Sequence, residues 1–267
     1  MRQLKDMRKL ATVAMAAVAL VGLASSAGAG EMRKIKIGTE GAYPPFNSID
    51  SNGKLVGFDV DIGNALCKAA NFDCEWVVQD WDGIIPGLIA KKYDAIVASM
   101  SITDQRKQVV DFTEKYYQTP AKFVAAKGAG FDISPEGLAG KVVGVQRATT
   151  HENFLRAKFP KAEVRTYATQ DEANADLVSG RLDLVMADSV VLLEGFLKTD
   201  AGKDFEFVGP GYSDPKFHGE GVGIAVRKGD DELRQAFNHA IDKIRADGTY
   251  KAINAKYFDF DVYGPTS

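Results

Sequence analysis

The sequence predicts an α/β protein built as two similar lobes, each a mostly parallel sheet flanked by helices, with a hinge between them. Three observations carry that expectation. Short apolar, β-branched runs alternate with segments of helical periodicity, the order that builds parallel sheets with helices on their faces. The alternation starts near Lys34 and starts afresh near Lys141. No low-complexity stretch divides the two runs, so the connections are short, at Gln118-Thr119-Pro120 and within residues 213–221.

The first run opens with a strand over 34–38. A helix is expected over 59–70, with Ile62, Leu66 and Ala69 on one face. Residues 75–78 are strand-like, and Asp82 is placed to cap a helix carrying Ile84, Ile85, Leu88 and Ile89. Pro86 is tolerable there because it lies near the first turn. Residues 94–98 form a short apolar strand. The second run begins with a strand over 141–145, followed by Thr149-Thr150-His151-Glu152, a capping-box pattern before Phe154 and Leu155. Thr169-Gln170-Asp171-Glu172 repeats that signal before a helix ending near Gly180, and 182–187 reads as a buried strand. Leu233, Phe237, Ile241 and Ile244 mark an amphipathic helix, with Asp231 as a cap and Gly248 as a stop.

Residues 1–29 stand apart from the fold. Arg2, Lys5, Arg8 and Lys9 precede an apolar stretch of about 14 residues, short of the roughly 20 that span a bilayer. Ala27-Gly28-Ala29 fits a cleavage site, so the segment reads as a secretory signal peptide. No cysteine follows the site, which argues against a lipid anchor. Without this segment the net charge falls from −3 to −6, because four basic residues and Asp6 leave with it. No basic patch is visible either, which makes nucleic acid a poor partner. Apolar residues at 45% and charged residues at 26% exclude a disordered chain. Cys67 and Cys74, the only cysteines, are expected to pair in an oxidising compartment as a local staple between a helix end and the next strand.

Little in the chain points to catalysis. His151, His218 and His239 lack metal-site spacing, and neither Gly-x-Ser-x-Gly nor a phosphate loop is present. No metal and no cofactor is expected. His239 reads as a surface residue within a helix, His218 as an exposed loop residue, and His151 as a candidate ligand contact.

Open α/β sheets bind ligands at the carboxyl ends of their strands, beside helix N-termini. Three segments have that character. Ala98-Ser99-Met100-Ser101-Ile102-Thr103-Asp104-Gln105-Arg106 leaves a strand and puts Arg106 in a first helical turn, where the macrodipole disfavours a cation. A bound carboxylate would offset that cost by accepting two hydrogen bonds from the guanidinium; a surface ion pair is the alternative. Gln146-Arg147-Ala148-Thr149-Thr150 offers free backbone N–H groups at a helix start. Asp188, after the 182–187 strand, either pairs with an ammonium group or caps the next helix. Tyr43 and Trp81 supply aromatic faces that attract cations, or simply pack. Glu40 ends the first strand and supplies a charge for a basic side chain, unless it is only an exposed strand-end acid.

At these segments the chain resembles the periplasmic polar amino-acid-binding proteins of ABC importers, solute-binding protein family 3. It looks most like the arginine/ornithine and lysine/arginine/ornithine binders. The matching stretches include Ile37-Gly38-Thr39-Glu40-Gly41-Ala42-Tyr43-Pro44-Pro45-Phe46, Gly57-Phe58-Asp59-Val60-Asp61-Ile62, Ser101-Ile102-Thr103-Asp104-Gln105-Arg106 and Ser179-Gly180-Arg181-Leu182-Asp183. They continue in Val143-Gly144-Val145-Gln146-Arg147-Ala148-Thr149-Thr150 and in Lys256-Tyr257-Phe258-Asp259-Phe260-Asp261-Val262-Tyr263-Gly264. The Cys67 and Cys74 pair also matches the basic-amino-acid subgroup.

The resemblance implies the two-lobed periplasmic binding protein fold of type II, a periplasmic location and a monomer that serves an inner-membrane ABC permease. It implies that Arg106 holds a ligand carboxylate with help from Ser101 and Thr150. Asp188 would take the α-ammonium with Ser99 and Ser101, Tyr43 and Trp81 would sandwich the side chain, and Glu40 would meet its distal cation. Ala98, Trp81, Gln146 and His151 depart from the lysine/arginine/ornithine pattern, which leaves histidine, glutamine and opines as alternative ligands. The lobes are expected over 30–118 plus 220–267, and over 119–219. An enzyme of the periplasmic dehydratase type on the same scaffold is the alternative from another class; it would need a proton-transfer group over the ligand.

Overall fold

Ile35 and Ile37 lie buried on the strand that seeds the first sheet, β1 (Arg33–Thr39). A computed structural model describes residues 32–264 of the chain; the expected leader, 1–29, lies outside the described residues. The short strands β2 (Ala42–Tyr43), β3 (Asn47–Ile49) and β4 (Leu55–Val56) form a small antiparallel sheet of their own. Helix α1 (Phe58–Ala69) then leads to β5 (Phe72–Val78), α2 (Trp81–Ile89), β6 (Ala95–Ile96), α3 (Asp104–Lys107) and β7 (Val110–Tyr117).

The chain next crosses into a second sheet. It forms β8 (Ala121–Ala126), β9 (Val142–Gln146), α4 (Thr150–Lys158), β10 (Glu163–Tyr167), α5 (Gln170–Val178), β11 (Leu184–Asp188), α6 (Ser189–Leu192) and β12 (Phe205–Tyr212). A one-turn helix, α7 (Pro215–His218), lies on the way back to β13 (Val222–Arg227), α8 (Asp231–Ala246) and α9 (Thr249–Tyr257).

The two larger sheets are topological copies. The first runs β5-β1-β6-β13-β7 and the second β10-β9-β11-β8-β12. In each, three neighbouring strands pair in parallel and two more add on antiparallel. The chain passes between them twice, after β7 and after β12, so the first sheet borrows β13 from the far side of the second.

Helices cover both faces of each sheet. Leu66 of α1, Phe237 and Ile241 of α8 and Tyr250 of α9 bury one face of the first sheet, while Ile84 and Leu88 of α2 bury the other. Phe154 and Leu155 of α4 pack on one face of the second sheet, and Ala173 and Leu177 of α5 on the other. Close approach is enforced where α2 meets the first sheet: a Cβ on Gly38 would come within 2.6 Å of the Tyr93 ring. Burial of such side chains contributes roughly 1.5–3 kcal/mol each and holds the sheet ends in place.

Local signals acted with small shifts. Thr169 and Glu172 form the full reciprocal capping box at α5. At α4, Thr149 Oγ1 accepts from the Glu152 N–H (3.2 Å), but the Glu152 carboxylate reaches the Ala148 N–H (2.8 Å), one residue further back. Asp230, rather than Asp231, caps α8 by accepting from the Leu233 N–H at 3.2 Å. Helix α2 starts at Trp81, so Asp82 sits inside its first turn and does not cap it; its carboxylate pairs instead with Arg147 of the other lobe.

Cys67 of α1 is bonded to Cys74 of β5, as expected. A loop this short removes about 2–3 kcal/mol of chain entropy from the unfolded state. The double variant Cys67→Ser/Cys74→Ser is expected to lose about that much stability in urea denaturation at unchanged m-value. An unchanged midpoint would show that the staple contributes nothing.

Candidate functional site

The carboxyl ends of β1, β6, β9 and β11 meet between the two sheets, and each delivers polar groups there. Glu40 follows β1 and is buried, 7% exposed, so it is not the exposed strand-end acid that spacing alone allowed. Tyr43 of β2 is also buried, in a turn fixed by the Gly41 N–H donating to Asn47 Oδ1 at 2.8 Å. From the other lobe, Gln146 ends β9 and Asp188 ends β11, both buried.

The segment after β6 builds one wall. Ser99 adopts a left-handed conformation (φ 53°), costly for a residue with a side chain, and its hydroxyl donates to Asp59 Oδ2 at 3.0 Å. Thr103 caps α3 by accepting from the Arg106 N–H at 3.3 Å. The Arg106 guanidinium donates through Nη1 to the Ser101 carbonyl at 3.0 Å and lies 5.3 Å from the centre of the Trp81 ring. Burial brings the Arg106 pKa down to about 10. Among the described residues no carboxylate forms an ion pair with it.

Asp188 does cap the helix after it: Oδ1 accepts from the N–H groups of Val190 (2.8 Å) and Val191 (3.4 Å). Its Oδ2 accepts from the Thr119 hydroxyl of the first crossing segment. Burial outweighs these bonds and pushes the Asp188 pKa up to about 6. Glu40 is pushed up to about 7, chiefly by burial, with Asp171, Asp80 and Asp82 adding repulsion; a hydrogen bond from Gln146 opposes the rise.

Two adjoining chambers fill the space between the lobes. One is bordered by Glu40, Tyr43, Trp81, Ala98, Ser99, Ser101, Arg106, Gln146, Thr149, Thr150 and His151. The other is bordered by Asp188, Thr119, Tyr117 and His218, and shares Tyr43, Ser99, Ser101 and His151 with the first. The site residues singled out by sequence, other than the cysteines, therefore border one or other of two adjoining chambers, with Arg106 reaching the first and Asp188 the second from opposite lobes. Side chains also bridge the lobes directly: Gln146 Nε2 donates to Glu40 Oε1 at 2.5 Å, and Trp81 Nε1 to the Ala148 carbonyl at 3.3 Å.

Sequence reasoning passed over Asp59. It is fully buried in α1 and accepts from Tyr116 OH (2.7 Å), Asn47 Nδ2 (2.8 Å) and Ser99 Oγ (3.0 Å). It thereby holds Ser99 against the cavity. An acid in the first turn of an amphipathic helix ordinarily faces water, so periodicity offered no signal. His218 was also misread: it closes α7, and both of its ring nitrogens are buried.

A space of this kind presents a cation at one end and carboxylates elsewhere, in surroundings where an unpaired charge is costly. Known proteins match the chain over most of its length. Residues 35–260 fit the model of bacterial extracellular solute-binding proteins, family 3. An L-arginine-binding protein of Pseudomonas aeruginosa is 54% identical over 97% of this chain and 99% of its own length. The lysine/arginine/ornithine-binding periplasmic protein of Escherichia coli is 45% identical over 92% of this chain and 96% of its own. A solved periplasmic binding protein of Salmonella typhimurium, described for its high arginine specificity, superposes with a TM-score of 0.79 at 36% identity, covering 85% of this chain and 99% of that one. With its fold and nearly its whole described length in common with them, the chain belongs to the bacterial extracellular solute-binding proteins of family 3.

Proposed function

We propose that this protein captures a free basic amino acid, arginine or ornithine foremost and lysine after them, and delivers it chemically unchanged to an inner-membrane ABC permease. The observation that carries the reading is the approach of Arg106 and Asp188 from opposite lobes to two adjoining chambers that share Tyr43, Ser99, Ser101 and His151. A zwitterion is costly to bury unless each charge finds a partner. Arg106 takes the α-carboxylate, with the Thr150 N–H at the start of α4 and Ser101 beside it. Asp188 takes the α-ammonium with Ser99 and Ser101.

The side chain then lies between Tyr43 and Trp81, with its cation toward Glu40. Ala98, Gln146 and His151 complete the wall. The arginine-binding and lysine/arginine/ornithine-binding relatives support a basic ligand. The periplasmic relatives also support a periplasmic place of work; the charged and apolar pattern of residues 1–29 is what supports a leader that export removes. Because the ligand touches both lobes, over 30–118 plus 220–267 and over 119–219, its binding favours the closed arrangement. The protein acts as a monomer. It uses no metal or cofactor.

Arg106→Ala leaves a buried carboxylate unpaired and is expected to weaken arginine binding by about 3–5 kcal/mol in titration calorimetry. Unchanged affinity in that variant would overturn the assignment of the carboxylate site.

Glu40 supplies a second test. It keeps its proton to about pH 7, whereas a guanidinium partner favours the ionised form. Binding therefore releases a proton from Glu40 below that value, and affinity for arginine rises with pH until about 7 and then levels off. Over pH 6–7.5, Glu40→Gln is expected to make that slope shallower by the one proton Glu40 supplies, and to weaken arginine binding by about 2 kcal/mol. A slope as steep in Glu40→Gln as in the wild type would place the ligand cation elsewhere. Calorimetry in buffers of differing ionisation enthalpy counts the proton.

A further inference from the structure

His151, second residue of α4, and His218, last residue of α7, lie with their ring centres 5.7 Å apart. Both border the chamber that holds Asp188. His151 Nδ1 and both ring nitrogens of His218 are buried with no hydrogen-bond partner, and the Phe154 ring flanks His218 at 5.0 Å. An uncharged imidazole tolerates such a place; an imidazolium there would bury its charge and N–H donors unpaired.

The charged neighbours offer no relief. Arg106 borders the adjoining chamber, and its charge acts against protonation of His151. Asp188 is engaged by Thr119 and two backbone N–H groups. Glu152, next to His151, is held by Arg156 and the Ala148 N–H. Asp214 caps α7 through the Lys216 N–H and faces Lys158 at 3.9 Å, while Glu220 pairs with Lys107. Burial drives His151 down to about 3, with His218 and Arg106 adding to the effect. Burial also lowers His218, against an opposing pull from Asp214.

We propose that the His151–His218 pair makes closure of the cleft proton-sensitive: the closed form admits both imidazoles only uncharged, so acidification favours the open form and releases the ligand. This rests on the reading that the lobes close on an amino acid. In the open form a solvated imidazole titrates near its ordinary value, roughly 6.5. Closing then expels its proton, and affinity falls as pH drops through that value, by about tenfold per pH unit for each imidazole. Protons released by Asp188 and Glu40 are common to the wild type and the histidine variants, so a comparison cancels them.

The test measures arginine affinity of the full protein between pH 7.5 and 5.0 in the wild type, His218→Phe and His151→Gln, each referred to its own value at pH 7.5. The phenyl ring of His218→Phe keeps the aromatic packing against Phe154. Across that range the wild type is expected to lose about 30-fold more affinity than either variant. At pH 5.5 it should release nearly one more proton per arginine bound. Equal pH profiles in the wild type and both variants, with tight binding at pH 7.5, would overturn the switch and leave the binding reading standing. Absence of binding to arginine, ornithine and lysine at pH 7.5 would overturn the binding reading, and the switch with it.

Discussion

Everything in the cleft is arranged around the half-buried guanidinium of Arg106, which pairs with no carboxylate among the described residues. Arg106 has a backbone carbonyl and an indole face for company, and both are weak substitutes for an anion. The fold tolerates this because the surrounding elements over-determine it. The Thr103 cap fixes α3, and the pairing of β6 with β1 and β13 fixes the segment that feeds it.

The carboxylates show the complementary arrangement. Asp59 is satisfied three times over by protein donors and serves as a strut for the strained Ser99. Burial raises all three acids toward neutrality, and Asp188 too accepts from three protein donors; what sets Asp188 and Glu40 apart is that they border the chambers, which Asp59 does not. That difference separates the strut from the two groups assigned to the ligand. Gln146, which donates to both Glu40 and the Ala168 carbonyl, shows how a neutral amide tempers one of these acids without neutralising it.

Much of this was legible in the chain, for identifiable reasons. The double βα alternation has a strong periodic signal, and the residues at strand ends follow from the geometry of open sheets. Strand lengths were less legible, because β6 is a two-residue strand inside a longer apolar run. The caps at α2 and α8 slipped by one or two residues, since adjacent acids offered competing choices at Asp80 and Asp82 and at Asp230 and Asp231. Asp59 and His218 stayed hidden because their environment is made by residues far away in sequence, Tyr116 for one and Phe154 for the other. No local pattern encodes a partner that only tertiary packing supplies.

The paired crossings between the sheets have a mechanical meaning. A single tether would leave one half free to swing, tilt and twist about the other. Two connections, one after β7 and one after β12, would suppress the twist and leave chiefly one axis of rotation. A jaw that moves on one axis brings the same few atoms face to face at every cycle, so selectivity is written in the hinge line as much as in the side chains that meet.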